Sequence, residues 1–237
     1  MRAKAVKDTT IFDQPAYNAS EAARILNLPV STLKAWCFGQ SGHNRKGAPT
    51  DFRPVIRPAD AKARLLSFAN LCELHVLSAI RRQYKIPLPK VRDSVDYVRK
   101  ELNSARPFID RQFMTNGIEL LVEHAGKLLA VSRQGQEAMR GEFELALARI
   151  ERNRDGMPIR LFPFSRTSLK SAEQPKSVVI DPRLSFGRPV ISSAAVPTRI
   201  IADRFQAGDS MNEMAEDYGV GEAEIEEALR FERLRAA

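Results

Sequence analysis

Apolar residues recur at helical spacing near the start of the chain, in two short segments on either side of Asn27-Leu28-Pro29. A proline inside a helical pattern ends the helix, because it lacks an N–H group and its ring clashes with the preceding turn. Ser20 is a suitable N-cap for the first segment. The apolar faces consist of Ala22, Ala23 and Leu26 in the first segment and Leu33, Trp36 and Cys37 in the second. This pattern predicts a helix-turn-helix.

The second predicted helix carries short polar side chains and a cation away from its apolar face, at Ser31, Thr32 and Lys34. In a DNA-binding helix-turn-helix, the second helix enters the major groove and its early residues reach bases or phosphates. We therefore expect these three residues to contact DNA. The alternative is an ordinary helical hairpin with a buried tryptophan.

A flexible basic loop follows this helix over residues 39–51. It contains Arg45 and Lys46, and the strand-like run after it contains Arg53. A basic loop beside a recognition helix can form a wing that contacts the phosphate backbone or the minor groove. Arg45, Lys46 and Arg53 are therefore candidate backbone contacts.

Two amphipathic patterns between residues 65 and 102 predict two longer helices. The second of them carries cations opposite its apolar stripe. These cations, which contact either DNA or water, are Lys90, Arg92, Arg99 and Lys100.

The pattern changes between residues 106 and 164. Two short apolar runs around His124-Ala125-Gly126-Lys127 predict a β-hairpin over residues 120–131. A helix with an apolar stripe follows, and it either packs on the hairpin or joins two chains. The stripe consists of Met139, Phe143, Leu147 and Ile150. Residues 159–164 predict a further strand, and the polar residues 165–176 predict a linker.

The last part of the chain has the helix-boundary residues of a small helical domain. A short strand ends at Asp181-Pro182, and helix boundaries are marked by Pro197, Gly208 and Gly219. Either Asp209 or Ser210 caps the next helix, and Glu213 is placed to complete a capping box if Ser210 is the cap. Three short helices from Thr198 onward predict a helix-turn-helix-like core.

These elements predict a mainly α protein with small β elements. The predicted divisions are a flexible arm at 1–15, a winged helix-turn-helix domain at 16–105, an α+β connecting segment at 106–164, a linker at 165–176 and a tri-helical domain at 177–237.

Charge distinguishes the two ends. The chain has a formal net charge of +8, with +6 in residues 1–64 and −4 in residues 178–237. A basic front favours nucleic acid as its partner, whereas an acidic tail repels phosphate. We therefore expect DNA contact at the front, and dimerisation or partner contact at the rear.

Other functional classes find no support in the sequence. No phosphate-binding loop, zinc-binding spacing or nucleophile motif occurs, so we expect no enzyme, cofactor or metal. Cys37 and Cys72 are expected to be buried, reduced thiols. No long apolar run or signal-like leader is present, so we expect a cytoplasmic protein that makes no membrane contact.

The first segments resemble a known family. Glu21-Ala22-Ala23 with Leu26, the loop ending in Pro29, and Ser31-Thr32-Leu33 with Trp36 resemble the winged helix-turn-helix of MerR regulators. The resemblance implies that Ser31, Thr32 and Lys34 lie on DNA, with Leu33 and Trp36 in the core.

The tail resembles a small bacterial domain that is widespread in antitoxin-like proteins. The residues that carry this resemblance are Asp181, Pro182, Gly187, Pro189, Val190, Ile191, Thr198, Arg199 and Ile200. A MerR-like head joined to this tail resembles VapB-type antitoxins of VapBC toxin–antitoxin pairs.

That resemblance implies a type II antitoxin that binds its operator as a homodimeric autorepressor and neutralises a PIN-domain ribonuclease toxin. An arginine near the C-terminus would enter the acidic pocket of the toxin, and the candidates are Arg230, Arg233 and Arg235. The alternative is a stand-alone MerR-like transcriptional regulator without a toxin partner.

Overall fold

Helices dominate the protein, and its sheets are small antiparallel pairs of strands. The computed structural model describes residues 9–43, 49–84, 88–110, 112–166 and 174–233. The prediction of a mainly α fold with small β elements is confirmed.

The helices are α1 (Thr9–Asp13), α2 (Ala19–Leu26), α3 (Val30–Phe38), α4 (Phe68–Tyr84), α5 (Leu88–Glu101), α6 (Ile118–Leu129), α7 (Arg133–Leu147), α8 (Thr198–Ala207), α9 (Met211–Tyr218) and α10 (Glu222–Arg233). The strands pair as β1 (Gln40–His43) with β2 (Pro49–Phe52), β3 (Ile150–Arg152) with β4 (Pro158–Leu161), and β5 (Val178–Val179) with β6 (Val190–Ile191).

The helix-turn-helix is present as α2 and α3, which pack on each other, while α2 also packs on α4. The side chain of Asn18, rather than Ser20, caps α2 by accepting a hydrogen bond from the Glu21 N–H. Asn27 ends α2 in the left-handed conformation, which asparagine tolerates better than most residues. The apolar faces predicted for both helices are buried.

The residues before α2 belong to the core. Residues Thr9–Asp13 form α1, and the buried ring of Phe12 lies 6.0 Å from the ring of Phe68. The predicted flexible arm therefore does not extend to residue 15, since burying an aromatic ring ties this segment to α4.

The β-hairpin predicted over residues 120–131 is wrong, because this segment is the helix α6. Its buried positions follow helical spacing at Ile118, Leu121, Val122 and Ala125. Gly126 suggested a turn, but it serves close packing: a Cβ there would lie 2.6 Å from Cδ of Gln136 on α7. The connecting segment does contain a hairpin, formed by β3 and β4 further along the chain.

The head and the connecting segment share one hydrophobic core, which runs from Phe12 to Ile180. The predicted stripe of α7 is buried in it at Met139, Phe143 and Leu147, whereas Ile150, expected on the same helix, is the first residue of β3. The boundary expected near residue 105 therefore separates no independent cores.

Arg149 joins the end of the predicted linker to the residues that precede the linker. Its buried guanidinium donates hydrogen bonds to the carbonyl oxygens of Phe162 (2.7 Å), Pro163 (3.3 Å), Gln174 (3.0 Å) and Pro175 (2.7 Å). A guanidinium offers five donors in a fixed fork, which suits such a bridge. Residues 167–173 lie outside the described part.

The tail has its own apolar core between α8, α9 and α10. Ser210 and Glu213 form the predicted capping box at the start of α9. Helix α10 packs on α8, α9, β5 and β6, so it is the centre of this domain. Ile180 joins the tail to β4 through two backbone hydrogen bonds with Leu161, of 3.0 and 2.8 Å.

Candidate nucleic-acid interface

Helix α3 presents a narrow exposed face. Ser31 and Lys34 are exposed, and Val30 has 37% of its surface accessible. Thr32 has only 8% accessible and faces the interior beside Leu33. The structure therefore brings Ser31 and Lys34 to one surface and places Thr32 behind it.

The predicted wing is present as the β1–β2 hairpin, in which Gln40 pairs with Phe52. Arg45 and Lys46 lie outside the described residues. Arg53 is exposed at the base of the wing, directly after β2. The Gln40–Phe52 pair is the base of the wing, and Gln40 follows Phe38, the last residue of α3, by two positions. The base of the wing therefore lies beside α3.

Two arginines of α5 hold the base of the wing. The Arg92 guanidinium donates a hydrogen bond to the Arg53 carbonyl oxygen and lies 5.6 Å from the ring centre of Phe52. Arg99 donates to the Val55 carbonyl oxygen at 2.8 Å. The sequence left DNA or water as the partner of these two cations, and the structure instead pairs both with backbone carbonyl oxygens. They position the wing.

A further cation, which sequence reasoning missed, lies against α3. The guanidinium carbon of Arg64 is 4.7 Å from the ring centre of Phe38, the last residue of α3. Arg64 lies in the turn region between the wing and α4, 26 positions after Phe38. No local pattern brings these residues together, although the cations of Lys62 and Arg64 were visible in the sequence.

The other predicted site lies at the far end of the chain. Arg230 and Arg233 both line a groove of about 470 Å³ at the surface of the tail, together with Phe205, Met211, Glu226 and Leu229. Arg230 forms ion pairs with Glu226 and Glu227. The Arg233 guanidinium carbon lies 5.4 Å from the ring centre of Phe205, and no ion pair reaches it from the residues that the structure describes. Arg235 lies outside them.

Several residues of the tail pattern stabilise structure. Asp181 is buried, which would raise its pKa, but hydrogen bonds from Arg183 and Arg160 outweigh burial and lower it. The carboxylate is therefore ionised, and it also accepts a 2.9 Å bond from the Arg183 N–H. The Thr198 hydroxyl donates a 2.6 Å hydrogen bond to the Glu232 carboxylate.

The tail is docked directly on the head. The Tyr17 hydroxyl donates a 2.9 Å hydrogen bond to the Gly187 carbonyl oxygen. Arg24 of α2 forms a 2.7 Å ion pair with Glu232 of α10. The DNA-binding candidate and the groove of the tail therefore belong to one connected structure.

The described residues include no candidate metal site, and the thiols of the two cysteines are buried. No group of three or more His, Cys, Asp and Glu residues there is arranged to hold a metal ion. Cys37 and Cys72 are buried free thiols, and burial raises the pKa of both, which keeps them protonated. Among the described helices, none has the length and apolar character needed to span a membrane.

Two family models match the chain. One, described as "putative DNA-binding HTH domain", matches residues 15–95, which include α2, α3 and the wing. The other, DUF433, is described as "protein of unknown function" and matches residues 178–231, in the tail.

Whole-chain relatives come from Mycobacterium tuberculosis (strain ATCC 25618 / H37Rv). "Putative antitoxin VapB45" is 28% identical over 236 residues, which cover 92% of this chain and 94% of the relative. The chain is therefore similar to this VapB-type relative over most of its length. "Uncharacterized protein Rv2308" is 23% identical over 232 residues, covering 94% of this chain and 92% of the relative.

A solved structure supports the fold of this VapB-like chain. The X-ray crystal structure of Rv2018 from Mycobacterium tuberculosis has a TM-score of 0.64 at 22% identity, covering 92% of this chain and 99% of that one. At this identity the likeness concerns the fold alone. The VapB45 relative and the helix-turn-helix model together support an antitoxin or DNA-binding role.

Proposed function

We propose that this protein is an antitoxin that binds operator DNA through its head and a cognate toxin through its tail. The observation that carries the proposal is the exposed Ser31–Lys34 face of α3 beside a wing, in a chain that is similar to a putative VapB antitoxin over 92% of its length. An antitoxin needs both surfaces, and the basic head and acidic tail differ in charge accordingly.

The DNA-binding half of the proposal uses the major groove and the backbone. Ser31 and Lys34 contact the groove, while Arg45, Lys46 and Arg53 contact phosphates from the wing. Thr32 supports this surface by packing behind it, since its side chain is buried.

Operator recognition in this proposal uses two copies of the chain. A homodimer presents two winged heads to a pseudo-palindromic operator, with half-sites about one helical turn apart. The protein then acts as an autorepressor in the cytoplasm, where its operator lies.

The toxin-binding half of the proposal uses the groove of the tail. Phe205 and Leu229 give it apolar walls, and Arg233 adds a cation that no described carboxylate pairs with. The proposed partner is a PIN-domain ribonuclease, whose clustered carboxylates match guanidinium groups in a bidentate manner. Arg230 and Arg233 are the described candidates for this contact, and Arg235 is the third.

The deciding experiment is co-expression of the chain with the protein encoded beside its gene. We expect a complex that co-purifies, relief of the growth arrest caused by the neighbour alone, and binding of the complex or free chain to DNA upstream of the gene pair. Absence of both a complex and toxicity, with DNA binding retained, would replace the antitoxin by a stand-alone regulator. Loss of DNA binding as well would contradict both.

A further inference from the structure

A short, fixed loop lies between the wing and α4. Asp60 and Leu65 exchange two backbone hydrogen bonds, of 3.0 and 2.9 Å. Inside this turn the Asp60 carboxylate accepts a 2.8 Å hydrogen bond from the Ala63 N–H. Residues 60–65, the 60–65 loop, therefore have one defined conformation.

The flanks of the 60–65 loop are held by the side chain of Asn70 on α4. Its oxygen accepts from the Ala59 N–H at 2.9 Å and from the Ser67 N–H at 3.1 Å. Its amide nitrogen donates to the Arg57 carbonyl oxygen at 2.8 Å. Buried amides with this many partners fix the backbone around them, so the loop projects from a rigid base.

The backbone of Arg64 adopts a conformation that side chains rarely take. Its φ is +57°, in the left-handed region, which is unfavourable for a non-glycine residue. Its side chain is nevertheless exposed and lies over the ring of Phe38, at the end of α3. The strain thus places a cation at the surface next to the recognition helix.

Arg64 continues the exposed face of α3. Ser31, Lys34 and Phe38 follow one another at spacings of three and four residues, so they form one stripe on the helix. Since Arg64 covers Phe38, its guanidinium extends the stripe beyond the end of the helix. Lys62 is exposed two residues earlier on the same loop.

In the described part of the chain, no ion pair involves the cations of this surface, Arg57, Lys62 and Arg64. The carboxylate nearest to them in sequence, that of Asp60, accepts its hydrogen bond from the Ala63 N–H. A cationic loop of fixed shape beside a recognition helix is suited to phosphate oxygens, which position a protein on the duplex.

We propose that the 60–65 loop is a second phosphate-contacting element, in which Lys62 and Arg64 bind the DNA backbone next to the groove segment occupied by α3. This inference rests on the DNA-binding half of the proposed function. The wing and the 60–65 loop then flank the same end of α3 and fix its register on the duplex. The packing of Arg64 on Phe38 orients its guanidinium before DNA arrives.

The test compares two double variants of equal charge in the full-length protein. Lys62→Ala with Arg64→Asn removes the proposed contacts, and asparagine tolerates the left-handed backbone. Lys127→Ala with Arg133→Ala removes two exposed cations from the α6–α7 region. The probe is a fluorescent mixed-sequence duplex of about 30 base pairs, long enough for about three helical turns, titrated at several salt concentrations.

Each phosphate contact contributes about −0.9 to the slope of log affinity against log salt concentration. We expect the loop variant to lose about two units of slope and roughly tenfold or more in affinity at low salt. The control variant keeps the wild-type slope, and the melting temperature of Arg64→Asn is equal to or above that of the wild type.

Three results would overturn the inference. A wild-type slope in the loop variant shows that the loop does not touch phosphate. An equal loss in both variants shows a net-charge effect only. A wild-type protein that binds without salt dependence contradicts the DNA-binding half of the proposed function itself, and so is distinguished from failure of the loop alone.

Discussion

Arg24 of α2 and Glu232 of α10 form an ion pair across 208 positions of sequence, with 2.7 Å between Nη1 and Oε2. The other carboxylate oxygen of Glu232 accepts a 2.6 Å hydrogen bond from the Thr198 hydroxyl. One nearly buried carboxylate therefore connects α2 with α8 and α10.

Replacement of Arg24 by alanine is expected to destabilise the protein by about 2 kcal/mol, because it leaves the Glu232 carboxylate without its cation. The measurement is the free energy of unfolding in urea. In a double-mutant cycle with Glu232→Gln, the two losses should not add, since both remove the same pair. Strict additivity would contradict the interaction.

Gly187 is expected to tolerate no side chain. Its φ is +77°, and a Cβ there would overlap the Tyr17 hydroxyl. Gly219 is a matched control, because its φ is +63° but nothing lies within 4 Å of a Cβ at that position. Gly219→Ala should cost about 1–2 kcal/mol for the backbone alone, and Gly187→Ala clearly more in the same thermal unfolding measurement. Equal losses of stability in the two variants would show that Gly187 and the Tyr17 hydroxyl are not in close contact.

Lys34→Ala is expected to weaken binding to the DNA upstream of the gene by about 1–3 kcal/mol, as loss of a groove contact does. Arg24, the nearby cation on α2, is unsuitable as a control for this variant, because it forms an ion pair with Glu232 of the tail. Lys127→Ala is the appropriate control, since Lys127 is an exposed lysine on α6. Binding curves from fluorescence anisotropy decide the matter, and equal effects of the two variants would remove Lys34 from the interface.

Stability should fall between about pH 4 and pH 7 because of Glu73. Burial raises the pKa of this side chain to about 7, although Arg106, the Asn70 amide and Arg99 oppose the shift. The folded state then holds a proton that the unfolded state has released, so rising pH costs about 3 kcal/mol in total.

Glu73→Gln should remove that pH dependence, because glutamine can still accept the hydrogen bond that Asn70 donates at 3.0 Å. We expect the variant to be more stable than the wild type at pH 8 and similar at pH 4, measured by urea unfolding at each pH. A constant difference across this range would show that the pKa of Glu73 is the same in the folded and unfolded states.

Arg233→Glu is expected to abolish toxin capture while preserving DNA binding, because it reverses the only groove cation that lacks an ion pair within the described residues. Arg188→Glu serves as the control, since Arg188 is exposed outside the groove. Pull-down of the co-expressed neighbour measures the effect. Retention of the neighbour by Arg233→Glu would place the toxin contact elsewhere.

Local patterns were sufficient where neighbouring residues in sequence decide the structure. The turn after α2, the buried stripe of α7 and the Ser210–Glu213 capping box were all predicted, since each depends on contacts within a few residues. The hairpin predicted around Gly126 is wrong, because the role of this residue depends on a contact outside its own segment. Its glycine serves a contact with Gln136 in the next helix, which a local pattern does not contain.

The sequence alone determined the mainly helical class, the helix-turn-helix and the exposed positions of Ser31 and Lys34, because the spacing of apolar residues is a property of each segment. Only the tertiary structure decided that Thr32 is buried, that Arg92 and Arg99 hold the wing, and that Arg24 holds the tail. A long flexible cation has the same sequence signature whether it binds DNA, water or a distant carbonyl. The packing of separate helices selects among these partners.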